Sequence, residues 1–338
     1  FDINMSGSFH GIGATLQKKD GYIKVVRIVT GSASWRQGDL EAGDKIMKVA
    51  QGKEDPVNVM DMPLDEAVQL IRGPKGTEVR LTVKKRDGSI KVIPIIRDVV
   101  ELREIYAKAA VLKHDNTQAG YIKLPKFYLD FEDENGRSCY EDVKKHLEDL
   151  KEKDVDGAII DLRNNGGGSL SEVIKIAGLF FDKGAVVQVR DPFGKTEVYK
   201  DKDAGTLFEK PLIIMVNSFS ASASEILAAA IQDRERGVVV GSGSTYGKGT
   251  VQRFISFDKA LPEQLQMFSP LGSLKLTIQK FYRINGDATQ LKGVSPDIKI
   301  PDKYTYMDIG EKERENAMEW DQIEPVEYSM WDESTNVK

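Results

Sequence analysis

Two short segments carry side chains able to break an amide bond: Ser218-Phe219-Ser220-Ala221-Ser222-Ala223-Ser224-Glu225-Ile226 and Tyr246-Gly247-Lys248-Gly249-Thr250-Val251-Gln252. The first offers a hydroxyl nucleophile and the second an amine base. A serine hydroxyl attacks a carbonyl only when a neighbouring base takes its proton. Histidine is the usual base, but none of His10, His114 and His146 stands in a segment that reads as a catalytic loop. His10 precedes a glycine turn, and His146 falls in a charged helical run. Lysine serves only when neutral, so its pKa must fall by about three units from near 10.4, about 4 kcal/mol of differential solvation. Burial can supply that. Gly237–Gly241 reads as a buried strand, a Gly/Ser/Thr turn follows it, and Val251 and Phe254 flank Lys248 on the far side. Most lysines are exposed loop residues; the serine segment makes a buried base the better reading here.

These residues need a scaffold, and composition supplies one. With 338 residues, 40% hydrophobic and 30% charged, the chain can bury ample core and divide into two or three domains. The net charge of −5 arises from well-mixed signs, so no basic stripe suits nucleic acid. No run of about 18 apolar residues could span a membrane. Cys139 is the single cysteine, which excludes an internal disulfide and a multi-cysteine metal site. The chemistry outlined above needs neither metal nor organic cofactor. The chain opens at Phe1 without an initiator Met or signal peptide, and reads as a fragment or processed form whose targeting segment is missing.

After a remnant at 1–7, residues 8–97 show short apolar runs between turns. Strands are predicted over 21–29, 44–49 and 77–83, and a helix over 63–72 that stops at Gly73-Pro74. This pattern makes a small β-barrel with one helix. It resembles a PDZ domain: Gly11-Ile12-Gly13-Ala14 matches the carboxylate-binding loop, Leu40 to Ile46 matches the Gly-Asp turn, and Leu64 to Ile71 matches the groove helix. A glycine-flanked loop can turn successive N–H groups toward a terminal carboxylate, while the adjoining strand edge pairs with a peptide.

From Gly120 the texture changes. Strands are predicted over 120–124, 157–163, 212–216 and 238–240, and helices over 138–152, 170–181 and 222–232. Such alternation predicts a layered α/β domain with parallel strands, whose sites form where strand ends meet helix starts. Three junctions carry candidate residues. Asp161-Leu162-Arg163-Asn164-Asn165-Gly166-Gly167-Gly168 is a glycine-rich turn with no lysine in P-loop spacing, so nucleotide binding is disfavoured. Its backbone can instead approach a substrate and aim an N–H at an oxyanion. Ser222 opens a helix, where free N–H groups favour developing negative charge. A serine there can also merely cap the helix, with Glu225 completing a capping box. The Lys248 turn is the third junction.

The ordered set of Ser-Ala-Ser-Ala-Ser-Glu-Ile, Gly-Lys-Gly-Thr-Val-Gln and Asp-Leu-Arg-Asn-Asn-Gly-Gly-Gly behind a PDZ-like unit resembles the carboxyl-terminal processing peptidases, or tail-specific proteases. The resemblance covers essentially the whole chain. It implies a layered α/β catalytic core of the crotonase/Clp-protease type over 98–301 and a C-terminal extension over 302–338. It also implies that Ser222 is the nucleophile, Lys248 the base and Gln252 the residue that orients it. The oxyanion hole would combine the N–H of Ala223 with Gly167 or Gly168. Glu225 and Thr245 match site-proximal positions that hold the nucleophile helix and lysine loop. Asp233 also matches a family aspartate, but eleven helical residues place it about 16 Å along the axis from Ser222, so it reads as a structural partner for the helix end or an arginine. The resemblance further implies protein or peptide substrates with apolar C-termini, a lipoprotein adaptor and a periplasmic location. Two other classes fit parts of the chain. A non-catalytic tail-binding scaffold leaves Lys248 without a purpose, and a crotonase-like acyl-thioester enzyme leaves the Ser222/Lys248 pair unexplained. A short helix is predicted near 311–320.

Overall fold

The computed structural model describes residues 8–101, 103–130, 136–258, 261–269 and 271–331; the remnant at 1–7 and the end of the tail lie outside them. The chain forms two compact units that divide between Arg103 and Glu104. In the first, the order is β1 (Ser8–Gly11), β2 (Ala14–Lys19), β3 (Tyr22–Ile28), α1 (Ala33–Gln37), β4 (Lys45–Gln51), β5 (Val57–Asn58), α2 (Leu64–Ile71), β6 (Glu78–Lys84), β7 (Ile90–Ile96) and β8 (Asp98–Glu101). A five-strand path runs β2-β3-β4-β6-β7, with β5 beside β4. Alternation in β6 puts Val79, Leu81 and Val83 inside, where they meet Ile46, Val49 and the buried Ala67 and Ile71 of α2. The Asp44 carboxylate fixes the turn before β4 by accepting the Glu41 N–H at 2.9 Å and the Lys85 ammonium at 2.8 Å. The boundary expected at 97 falls too early. β8 pairs back on β1, from Gly11↔Asp98 to Ser8↔Glu101, and so belongs to the first unit.

The second unit continues with β9 (Lys108–His114), β10 (Thr117–Lys123), α3 (Cys139–Glu152), β11 (Gly157–Asp161), α4 (Leu170–Gly178), β12 (Gly184–Arg190), β13 (Thr196–Asp201), β14 (Leu212–Val216), α5 (Ala223–Asp233), β15 (Val238–Gly241), β16 (Thr250–Ser256), β17 (Ser273–Tyr282) and β18 (Ile298–Lys299). One sheet runs β18-β15-β14-β11-β10-β9, parallel except for β9. A second sheet, β13-β12-β17-β16, is wholly antiparallel. The α/β alternation predicts the first sheet but not the second. α3 begins where Ser138 accepts the Glu141 N–H, and its Val143, Leu147 and Leu150 form one buried stripe. α5 is buried from Ala223 to Ile231 and touches β12 of one sheet and β15 of the other. Its run Ala228-Ala229-Ala230 keeps the helix slim enough for that position.

The chain after β18 is irregular. Instead of the helix expected near 311–320 there is one 3₁₀ turn, Glu311–Glu313, because the segment is tied outward at both ends, by the Glu311 N–H donating to Tyr246 O at 2.8 Å and by Gln290 Nε2 donating to Met318 O at 3.1 Å. The chain beyond it is tied down as well. Ile323 donates to Gly286 O and Val326 to Ile284 O, both at 2.9 Å, and Trp331 donates to Arg234 O at 2.8 Å. At the C-terminal end of α5, Asp233 receives Arg283 Nε and Asn285 Nδ2, both at 3.1 Å. Burial pushes its pKa up while Arg283 opposes the shift. Breaking a buried pair from one side leaves an uncompensated charge. Arg283→Met should therefore lower stability by about 3 kcal/mol, read as a lower urea midpoint, and adding Asp233→Leu should recover part of the loss.

Candidate active site

β11, β14 and β15 are neighbours in the parallel sheet, and the three candidate loops leave their C-terminal ends. At the end of β11, Asp161 is 1% exposed. Burial would raise its pKa, but hydrogen bonds from Arg163 and Tyr121 bring it down to about 2. Asn164, at φ 64°, donates its N–H to Asn217 Oδ1 at 3.0 Å and accepts Asn217 Nδ2 at 3.0 Å, tying the glycine turn to the loop after β14. A Cβ on Gly167 would lie 2.8 Å from Ser222 Cβ and 3.1 Å from Ala223 N. Only glycine lets the turn approach the serine this closely.

The three serines of the alternating segment differ. Ser220 and Ser224 are fully buried. Ser220 Oγ donates to Leu162 O at 2.9 Å, and Ser224 Oγ donates to Asn165 O at 2.9 Å. Ser222 is half-buried and caps α5 at φ 56°, ψ −113°, with no capping hydrogen bond from its own side chain. Such a conformation costs a non-glycine residue about 1–3 kcal/mol and persists only where its neighbours over-determine it. Here the Ala221 N–H is fixed on Asn165 O at 3.0 Å and the Ser222 N–H on Glu225 Oε2 at 2.7 Å.

Beside Ser222, the N–H groups of Ala223 and Gly168 have no acceptor among the described residues. Gly167 does not share that freedom: its N–H is held by Asn165 Oδ1 at 2.9 Å. Of the two glycines named from the sequence, Gly168 is the one left to donate, and Gly167 supplies only the space.

Glu225 joins the serine to the lysine. Fully buried, it accepts the Ser222 N–H and the Lys248 N–H (3.0 Å) on Oε2, and the Thr245 hydroxyl (2.6 Å) and the Gly247 N–H (2.7 Å) on Oε1. Burial pushes its pKa up to about 7 against these four donors. Thr245 Oγ1 also accepts the Val294 N–H at 2.8 Å.

Lys248 is half-buried, and its Nζ forms no hydrogen bond or ion pair among the described residues. Burial lowers its pKa, Lys275 adds to the shift, and Glu311 and Glu225 oppose it. Gln252 is half-buried in β16 and has no hydrogen bond to Ser222 or Lys248 among the described residues. Asp233 lies at the far end of α5 with Arg283.

Three supporting residues were given no role from the sequence, and two of them, Asn217 and Gln290, lie outside every segment singled out there. Asn165 and Asn217 shape the two loops, and buried Gln290 accepts the Gly249 N–H at 2.8 Å from 41 residues away.

In the first unit, β2 is an edge strand. Gly13 turns at φ 76°, where a Cβ would fall 2.1 Å from Ser32 Cβ. The N–H groups of Ile12 and Gly13 have no acceptor among the described residues. They open on a groove of about 240 Å³ walled by Phe9, Ile12, Leu16, Val68, Ile71 and Arg72. Arg72 stacks on Phe9 at 5.1 Å.

A layered α/β unit that carries Ser222 and Lys248 on loops joined by Glu225, preceded in the chain by a unit with an apolar groove beside an edge strand, defines the class. The chain belongs to peptidase family S41, whose model matches residues 118–300; a PDZ domain matches 2–84 and the C-terminal domain of tail specific protease matches 304–338. It is 41% identical over 331 residues to the tail-specific protease of Haemophilus influenzae, covering 97% of this chain and 46% of that protein. It is 33% identical over 313 residues to the carboxy-terminal processing protease CtpA of Bacillus subtilis, covering 91% of this chain and 60% of that protein. A crystal structure of the PDZ domain of a Vibrio cholerae carboxy-terminal protease in complex with peptide is 41% identical, with TM-score 0.27, covering 28% of this chain and 99% of that one. The chain spans about half the length of the Haemophilus relative.

Glu225→Gln would turn an amide NH₂ against two of the four donors. Each buried donor so orphaned costs about 1–3 kcal/mol. The variant should lose about 3 kcal/mol in denaturant titration.

Proposed function

We propose that the protein is a Ser/Lys endopeptidase that recognises free, apolar protein C-termini through its PDZ groove. The observation that carries this reading is the Glu225 carboxylate, which receives both the Ser222 and Lys248 N–H groups and so holds a strained, uncapped serine beside a half-buried, unpaired lysine. Neutral Lys248 takes the Ser222 hydroxyl proton as Oγ attacks a peptide carbonyl. The Ala223 and Gly168 N–H groups receive the oxyanion. As the tetrahedral intermediate collapses, Lys248 gives the proton to the leaving amine. Water, deprotonated in turn by Lys248, then releases the acyl group from Ser222. Gln252 lies in the strand following Lys248 and is assigned to orient it once substrate is bound.

In the PDZ unit, the peptide adds as a strand to the β2 edge, its carboxylate reaches the Ile12 and Gly13 N–H groups, and its last side chain enters the apolar groove. Ile12, Leu16, Val68 and Ile71 in the walls support apolar specificity. A periplasmic location and a lipoprotein adaptor complete the proposal, on the likeness to tail-specific proteases.

Cleavage of an unfolded protein ending in apolar residues tests the reading. Ser222→Ala and Lys248→Ala should each reduce kcat by at least about 1000-fold while leaving C-terminal peptide binding intact. Binding without cleavage by the unmodified chain would sink it. Because only the neutral amine is a base, kcat/KM should rise with pH along a limb whose midpoint lies below the ordinary lysine value of 10.5. Amidating the substrate C-terminus removes charge-assisted hydrogen bonds and should raise Kd roughly tenfold or more, measured by fluorescence anisotropy.

A further inference from the structure

Residues 304–320, beyond the stretch that matches the peptidase family, run as mostly irregular chain against the loops bearing Ser222 and Lys248. Four contacts fix them there. The Tyr304 ring meets Phe219 edge-on, centroids 4.9 Å apart, three residues before Ser222. Glu311 donates its N–H to Tyr246 O at 2.8 Å, and Arg314 Nε donates to the Tyr246 hydroxyl at 3.1 Å, two residues before Lys248. On the other flank, Gln290 accepts the Gly249 N–H on Oε1 and donates from Nε2 to Met318 O at 3.1 Å. Glycines on both sides of Lys248 give the loop little rigidity of its own. Glu225 holds it from within, Phe281 and Leu291 bond the glycines on its two sides, and this segment borders it from without.

We propose that residues 304–320 are a strap that positions the catalytic pair, with Tyr304 seating the nucleophile turn and Glu311 and Arg314 seating the lysine loop. This rests on the Ser222/Lys248 reading for its effect on catalysis. The strap also brings charge. The groups that act on the Lys248 amine are Glu225 from α5, Lys275 from β17, and Glu311 and Arg314 from the strap. The Glu311 and Arg314 side chains are 14% and 65% exposed and pair at 3.5 Å. Water screens the arginine more than the carboxylate, so Glu311 has the larger influence. A carboxylate favours the protonated amine; its removal favours the neutral base.

Competitive labelling with acetic anhydride across pH, with Lys248 read by mass spectrometry, reports the amine without relying on activity. In the full chain, Glu311→Gln should lower the half-labelling pH of Lys248 by about 0.5 unit, and Arg314→Gln should raise it by less. The rising limb of kcat/KM should move with the labelling. Tyr304→Ala should lower kcat roughly tenfold at unchanged KM, and Tyr304→Phe, which keeps the ring, should restore it. Thermal unfolding midpoints are recorded for every variant, so that a rate lost with unfolded protein is not counted. Unmoved labelling in Glu311→Gln, or full kcat in folded Tyr304→Ala, overturns the strap. Labelling that shifts as expected in a protein whose unmodified chain cleaves nothing supports the strap's placement and overturns the peptidase reading instead.

Discussion

One carboxylate without contact with water organises this site. An ionised group so placed is tolerated only when its lone pairs are filled, and Glu225 fills them from three places in the chain: the helix cap, the threonine of the following loop and the backbone on either side of Gly247. The four donors favour the anion while burial favours the acid, and the balance falls at about 7. The strained backbone at Ser222 follows from the same contact, since its N–H points inward to Glu225 while its side chain is left without a capping role.

Around this anchor the two sheets divide the labour. The parallel sheet delivers the glycine turn, the serine and the free N–H groups from adjacent strand ends. The lysine lies on the crossing from that sheet to the antiparallel one, between β15 and β16. Its loop is stitched to the far side by Phe281 N donating to Gly249 O at 2.9 Å and Leu291 N donating to Gly247 O at 2.8 Å. The PDZ unit has its own core and its own groove, built from an edge strand and one helix.

The segments of the proposed site could be picked out because each is local: a serine in an alternating run, a lysine between glycines, a glycine turn after a buried strand. The parallel sheet was legible because β10, β11 and β14 are each followed by a helix. The antiparallel sheet was not, since β12 pairs with β17 across most of the catalytic unit and no short-range pattern marks that partnership. Which glycine keeps a free N–H was equally hidden, because the side chain of Asn165 decides it. The polar run at 311–320 reads as helix in isolation, yet bonds to Tyr246 and to the chain around Gln290 hold it otherwise. The early domain boundary missed β8 because four residues give little periodicity and their partner, β1, lies at the other end of the unit.

The stitching of the lysine loop across two sheets has a consequence for the newly made chain. A molecule that has closed only its parallel sheet has the serine, the N–H pair and the Glu225 hold on the lysine loop, but the far side of that loop is still unstitched. Long-range antiparallel pairing such as β12 with β17 is slow to form compared with local structure. On the peptidase reading, the lysine loop is therefore held on both sides, and full cutting power reached, only with the last layer of the fold.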